Sequence, residues 1–138
     1  MKYVSIDIET SGLNHDMNHV LSIGAIIEDT NNKLPYEELP KFNAIVLQNN
    51  IQGSPRAITM NKEIISLMGE YLEGTDEVRE LLNNNSGYKF YTEDEVIKHF
   101  FDFLFINSSR LSKLFECNKL TPPCCVEFTL VPPPINVD

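Results

Sequence analysis

The stretch from Tyr3 to Glu9 (YVSIDIE) constrains the fold more than any other part of the chain. Val4, Ile6 and Ile8 alternate with Ser5, Asp7 and Glu9. That is the period-two pattern of a strand with one apolar and one polar face. Ile6 and Ile8 are therefore expected to point into the core. Asp7 and Glu9 should project together from the other face, roughly 6–7 Å apart along the strand. Two carboxylates held this way repel each other, and ionising both is unfavourable unless a cation sits between them. Hard divalent cations such as Mg²⁺ or Mn²⁺ suit carboxylate oxygens. Two such ions about 3.5–4 Å apart can hold both oxygens of an in-line phosphoryl displacement. Taken alone, Asp-x-Glu in a strand reads better as a charged sheet edge that resists aggregation. The surrounding residues change that balance.

Thr10 to His19 reads as a polar loop. Val20 to Glu28 (VLSIGAIIE) is a second strand, apolar on both faces as expected near a sheet centre. Thr30-Asn31-Asn32-Lys33 is turn chemistry, and Phe42 to Leu47 is a third strand. Short links between the three favour an antiparallel meander. Helices follow. Ser54 can cap and Pro55 suits a first helical position. Apolar residues from Ile64 to Leu72 recur at helical spacing and stop at Gly74, and Thr75 to Leu82 reads as one more helix. Thr92-Glu93-Asp94-Glu95 is a capping box that opens a helix over Glu93–Ile106. After Asn107 the Pro122-Pro123 and Pro132-Pro133-Pro134 runs punctuate the chain, with a weakly alternating strand between them at Val126–Val131. The expected organisation is α/β around one mixed sheet, with the N-terminal part of a domain over 1–106 and an irregular Pro- and Cys-containing tail over 107–138 that ends on the start of a further strand.

Composition bears on partners. Eleven Lys plus Arg against twenty Asp plus Glu give 11 − 20 = −9. That argues against gripping nucleic acid by net charge, but not against meeting phosphate through bound cations. No apolar run is long enough to span a membrane, and Asp7 and Glu9 interrupt any secretory signal. Cys117, Cys124 and Cys125 are an odd count without a Cys-x-x-Cys pair. They read as reduced thiols of a cytoplasmic protein rather than a zinc site.

Asp7-Ile8-Glu9-Thr10, then Ser11-Gly12-Leu13, then Leu21-Ser22-Ile23-Gly24-Ala25 together resemble the first motif of the DEDD 3′–5′ exonucleases. That group contains ribonuclease T, oligoribonuclease and the polymerase proofreading exonucleases. The resemblance covers residues 3–28; beyond them it consists mainly of element order. It implies a ribonuclease H-like fold and a metal-dependent exonuclease acting on the 3′ end of single-stranded DNA or RNA with two divalent cations, Mg²⁺ or Mn²⁺. Asp7 would contact both ions and Glu9 one. Backbone around Thr10 and Gly12 would lie near the terminal nucleotide, and Leu13 would pack against its base. Met60-Asn61 would meet substrate in the related enzymes. An apolar residue in an exposed loop beside a metal site is itself suited to stacking or wedging; folding back onto the core is the competing role.

The family takes four acidic ligands from three motifs. Its second motif follows a strand of the form V-x-G-x-N-F-x-x-F-D, and its third supplies His or Tyr and a last Asp. Neither is found here. Phe101-Asp102 arrives too early, so Asp102 reads as a solvated residue at a helix boundary. Pro134-Ile135-Asn136-Val137 resembles the opening of the strand that precedes the second motif. The expectation is thus a domain cut before its later parallel strands. The alternative function is a catalytically inactive fragment, or a module completed by a second chain or another copy of itself that covers exposed apolar surface. A haloacid dehalogenase-type phosphotransferase would need Asp at position 9 and fits poorly. His15 and His19 read as polar loop residues.

Overall fold

β1 (Lys2–Thr10) runs antiparallel to β2 (Val20–Asp29), and β2 runs antiparallel to β3 (Lys41–Val46) in the computed structural model, which describes residues 1–107. The expectations for the three cysteines, the strand at 126–131 and residues 135–138 lie outside the described residues. A short 3₁₀ turn, Tyr36–Glu38, precedes β3. The chain then passes through α1 (Pro55–Met60), α2 (Lys62–Glu73) and α3 (Asp76–Asn85) before β4 (Lys89–Tyr91) and α4 (Glu93–Asn107). The sheet order is β1-β2-β3-β4, and β4 lies parallel to β3.

The three-strand meander is as expected, and the architecture is α/β on a mixed sheet. β4 is the element that the sequence reading missed. Its three residues are too few to show a period, and it exists because Ala44, Ile45 and Val46 pair with Lys89, Phe90 and Tyr91. One parallel strand is therefore present, where none was expected within this part of the chain. The region 55–73 also divides. Asn61, at φ −97° and ψ 18°, ends α1 and begins α2.

Two apolar clusters hold the sheet. On one face Leu21, Ile45, Met68, Leu82 and Phe90 form a buried group, with Tyr71 stacked on Phe90 at 4.3 Å. On the other, Ala44, Val46 and Val96 are buried with Ile23, Phe42 and Tyr91 packed around them. Phe42 meets Phe100 at 5.3 Å and Phe103 at 5.6 Å, so these two α4 rings are taken up by the sheet. The capping box forms as read. The Thr92 N–H and hydroxyl both donate to Glu95 Oε2 at 2.9 Å, and the Glu95 N–H returns to Thr92 Oγ1 at 3.4 Å.

The expectation that Ile6 and Ile8 enter the core is corrected. They remain 37% and 50% exposed. β1 pairs only with β2 among the described residues, and α4 packs chiefly against β3 and β4, reaching β1 at its last residue, where Lys2 Nζ donates to the Asn107 carbonyl at 3.1 Å. A strand at the edge of the sheet buries its apolar face only where another layer reaches it.

Candidate functional site

The polar face of β1 opens onto a cleft of about 320 Å³, lined by Asp7 and Glu9 of β1, Ser22 and Gly24 of β2, and Asn43 of β3. Its wall is the end of α1 and the start of α2, with Met60, Asn61 and Glu63, and Tyr88 closes it from the side of β4. The register explains the grouping. Asp7 pairs with Gly24, and Gly24 pairs with Asn43, so the three lie in one row across the sheet. Gly24 in the middle has no side chain. A Cβ there would meet Asn43 Oδ1 and the Asp7 carbonyl only at 3.9 Å, so this glycine leaves room in the cleft floor rather than relieving a clash. Asn43 is held by a 3.0 Å bond from Nδ2 to the Gly87 carbonyl.

A register shift falls between Glu9 and Thr10. Irregularities of this kind re-aim side chains and are common beside active sites. Immediately after it the chain is fixed by buried polar contacts. The fully buried Ser11 hydroxyl donates to the Gln52 carbonyl and accepts the His19 N–H at 2.9 Å. The Ser11 carbonyl accepts the Ser54 N–H at 2.9 Å. Gly53 passes so close that a Cβ would stand 2.1 Å from the Ser11 carbonyl oxygen. The Thr10 hydroxyl donates to the Gly12 carbonyl at 2.9 Å. The loop therefore presents Leu13 on a rigid base, with its side chain fully exposed. Of the two roles open to Leu13, packing back onto the core is not the one the fold adopts.

A comparison with protein-family models and one with curated proteins each return no match. The site's chemistry therefore rests on its own geometry. Its lining is rich in oxygen ligands, and neither Lys nor Arg lines it. Among the described residues the ion pairs lie elsewhere, at Met1–Asp29 and Arg79–Asp76. This donor set suits a hard cation, which takes carboxylate and carbonyl oxygens. Among the described residues no group of three or more His, Cys, Asp or Glu side chains is arranged to hold a metal ion.

The structure brings Asp7 and Glu9 together with Asn61 and Met60. It does not bring Asp102, which is exposed on α4, on the opposite face of the sheet. His15 sits in the outer loop, 3.3 Å from Asp16, and His19 meets Ser11 through its backbone. Asn43, Glu63 and Tyr88 were missed. Asn43 left a signal, because it is the polar interruption in Phe42–Leu47 and falls on the same alternation as the face it joins. Glu63 and Tyr88 left none, since only the packing of α2 and β4 carries them to the cleft. No helix among the described residues is long and apolar enough to cross a membrane.

Proposed function

We propose that this cleft is the acidic end of a metal-dependent 3′–5′ exonuclease site that hydrolyses phosphodiester bonds of single-stranded DNA or RNA. One observation carries the reading: Asp7 and Glu9 share one cleft, directly before a loop that is pinned from beneath and presents an exposed leucine. Asp7 and Glu9 would hold the divalent cations. Such ions, when bound, polarise the phosphodiester and lower the pKa of bound water. The chain's own residues supply the rest. Leu13 offers an apolar surface for a terminal base. The Thr10 hydroxyl holds the Gly12 carbonyl, and Gly12 leaves room for the Asn18 side chain, so that the loop backbone of these two residues would lie beside the terminal sugar-phosphate. The absence of Lys and Arg from the lining leaves phosphate to be neutralised through cations held by the carboxylates.

A second reading is favoured because no group of three or more His, Cys, Asp or Glu side chains among the described residues is arranged to hold a metal ion. On it, the chain binds nucleic acid or a partner without turnover until a second chain or a further copy completes the ligand set. A 5′-labelled single strand, incubated with the chain in Mg²⁺ or Mn²⁺, separates the two. Stepwise shortening from the 3′ end that disappears in EDTA and in Asp7→Ala supports the exonuclease. Shortening unchanged in Asp7→Ala overturns it. Binding of the strand without shortening leaves the second reading.

A further inference from the structure

We propose that Asn61 is a positioning residue for Glu9, acting through the backbone of Thr10. The inference rests on the reading of Asp7 and Glu9 as cation ligands and adds a residue to it. Asn61 lies at the joint of α1 and α2 and is buried, 7% exposed, although it lines the cleft. Its Nδ2 donates at 3.2 Å to the Thr10 carbonyl, across 51 residues, and at 3.1 Å to the Ala57 carbonyl. Both amide hydrogens are thus committed to backbone. Only Oδ1 is left for the cleft, so the side chain is poorly suited to the substrate contact that the resemblance implied for it.

The placement gives the bond its meaning. The Thr10 carbonyl follows directly on the register shift after Glu9. The β1–β2 ladder positions Asp7 on its own, through the pairing with Gly24. Glu9 stands where the ladder turns irregular, so the direction of its side chain depends on what holds the next peptide. Asn61 holds that peptide, and it ties it to the helix joint carrying Met60 and Glu63 of the cleft wall. Groups that orient a metal ligand in this way typically change metal affinity 10–100-fold when removed.

The test is Mn²⁺ binding to the 138-residue chain, followed by the electron paramagnetic resonance signal of the free ion, for wild type, Asn61→Ala, Asn61→Leu and Asn61→His. Histidine is the rescue variant, because its Nδ1–H stands the same number of bonds from Cα as the asparagine Nδ2. Leucine keeps the buried volume without a donor, and replaces alanine if that variant loses the wild-type far-UV spectrum. We expect about tenfold weaker binding in the donorless variants with folding retained, and recovery to within about threefold of wild type in Asn61→His. Wild-type binding that is unchanged in Asn61→Ala or Asn61→Leu overturns this inference alone. Absence of Mn²⁺ binding to wild type, or binding indifferent to Asp7→Ala, overturns the cation site and this inference with it.

Discussion

The two halves of the sheet are held by different forces. Around β3, Ala44, Ile45 and Val46 are buried in succession, because α2 and α3 cover one face and α4 the other. Around β1, neither face is closed. Asp7 and Glu9 open onto the cleft, while Ile6 and Ile8 stay half-exposed behind them. The covered half is bound by apolar contact, which is non-directional and tolerates small changes of shape. The open half is fixed at its end by Ser11, Ser54 and Asn61, whose hydrogen bonds are directional and specify one loop path. Stability and the candidate site are thereby separated along a single sheet. Asp7 and Glu9 are open to the cleft because no layer covers their strand, which therefore lacks the packing that holds β3.

Substitutions in each half should have different signatures. Ile45→Ala removes a fully buried side chain between β4 and α2 and should destabilise by about 4 kcal/mol in chemical denaturation. A loss below about 1 kcal/mol would mean that β3 does not hold the fold. Gly53→Ala drives a methyl group into the Ser11 carbonyl and should cost about 3 kcal/mol, or shift the loop to relieve it. The signature of the shift is altered amide chemical shifts at residues 10–13 with those of β3 unchanged.

Thr92→Ala removes the cap of α4 and should cost about 1 kcal/mol while leaving the cleft intact. The same box predicts a pH dependence. The Thr92 backbone N–H, and then its hydroxyl, hold the Glu95 carboxyl below its ordinary value of 4.5. That contribution is present above pH 4.5 and is lost as pH falls through the lower folded value. Glu95→Gln should flatten that part of the acid-denaturation profile, and an unchanged profile would show that the box contributes nothing there. Leu13→Ala is the smallest in stability, within about 0.5 kcal/mol. If the proposed function holds, it should still weaken single-strand binding, measured by fluorescence anisotropy. Unchanged binding would remove Leu13 from the site.

Much of this was legible in the chain itself, where the signal was local. The β1 alternation placed Asp7 and Glu9 on one face. Thr92 and Glu95 fixed the start of α4, since a capping box is made within one helical turn. The apolar run of β2 marked it as an interior strand, and it lies between β1 and β3. What failed was non-local. Nothing in Lys89–Tyr91 announces a strand, because three residues become one only when β3 offers them a ladder.

The sequence by itself determined the face on which the two carboxylates stand, the meander that carries them and the capped helix that follows. Period and capping are set by neighbours a few residues apart. Only the tertiary structure decided that Ile6 and Ile8 remain half-exposed, that Leu13 points away from the core, and that Asn61 spends both amide hydrogens on backbone carbonyls. Each of those outcomes depends on which layer covers which strand, and on contacts such as Asn61 to Thr10 that span 51 residues. Burial and long-range hydrogen bonding are properties of the packed layers, which no window of sequence contains.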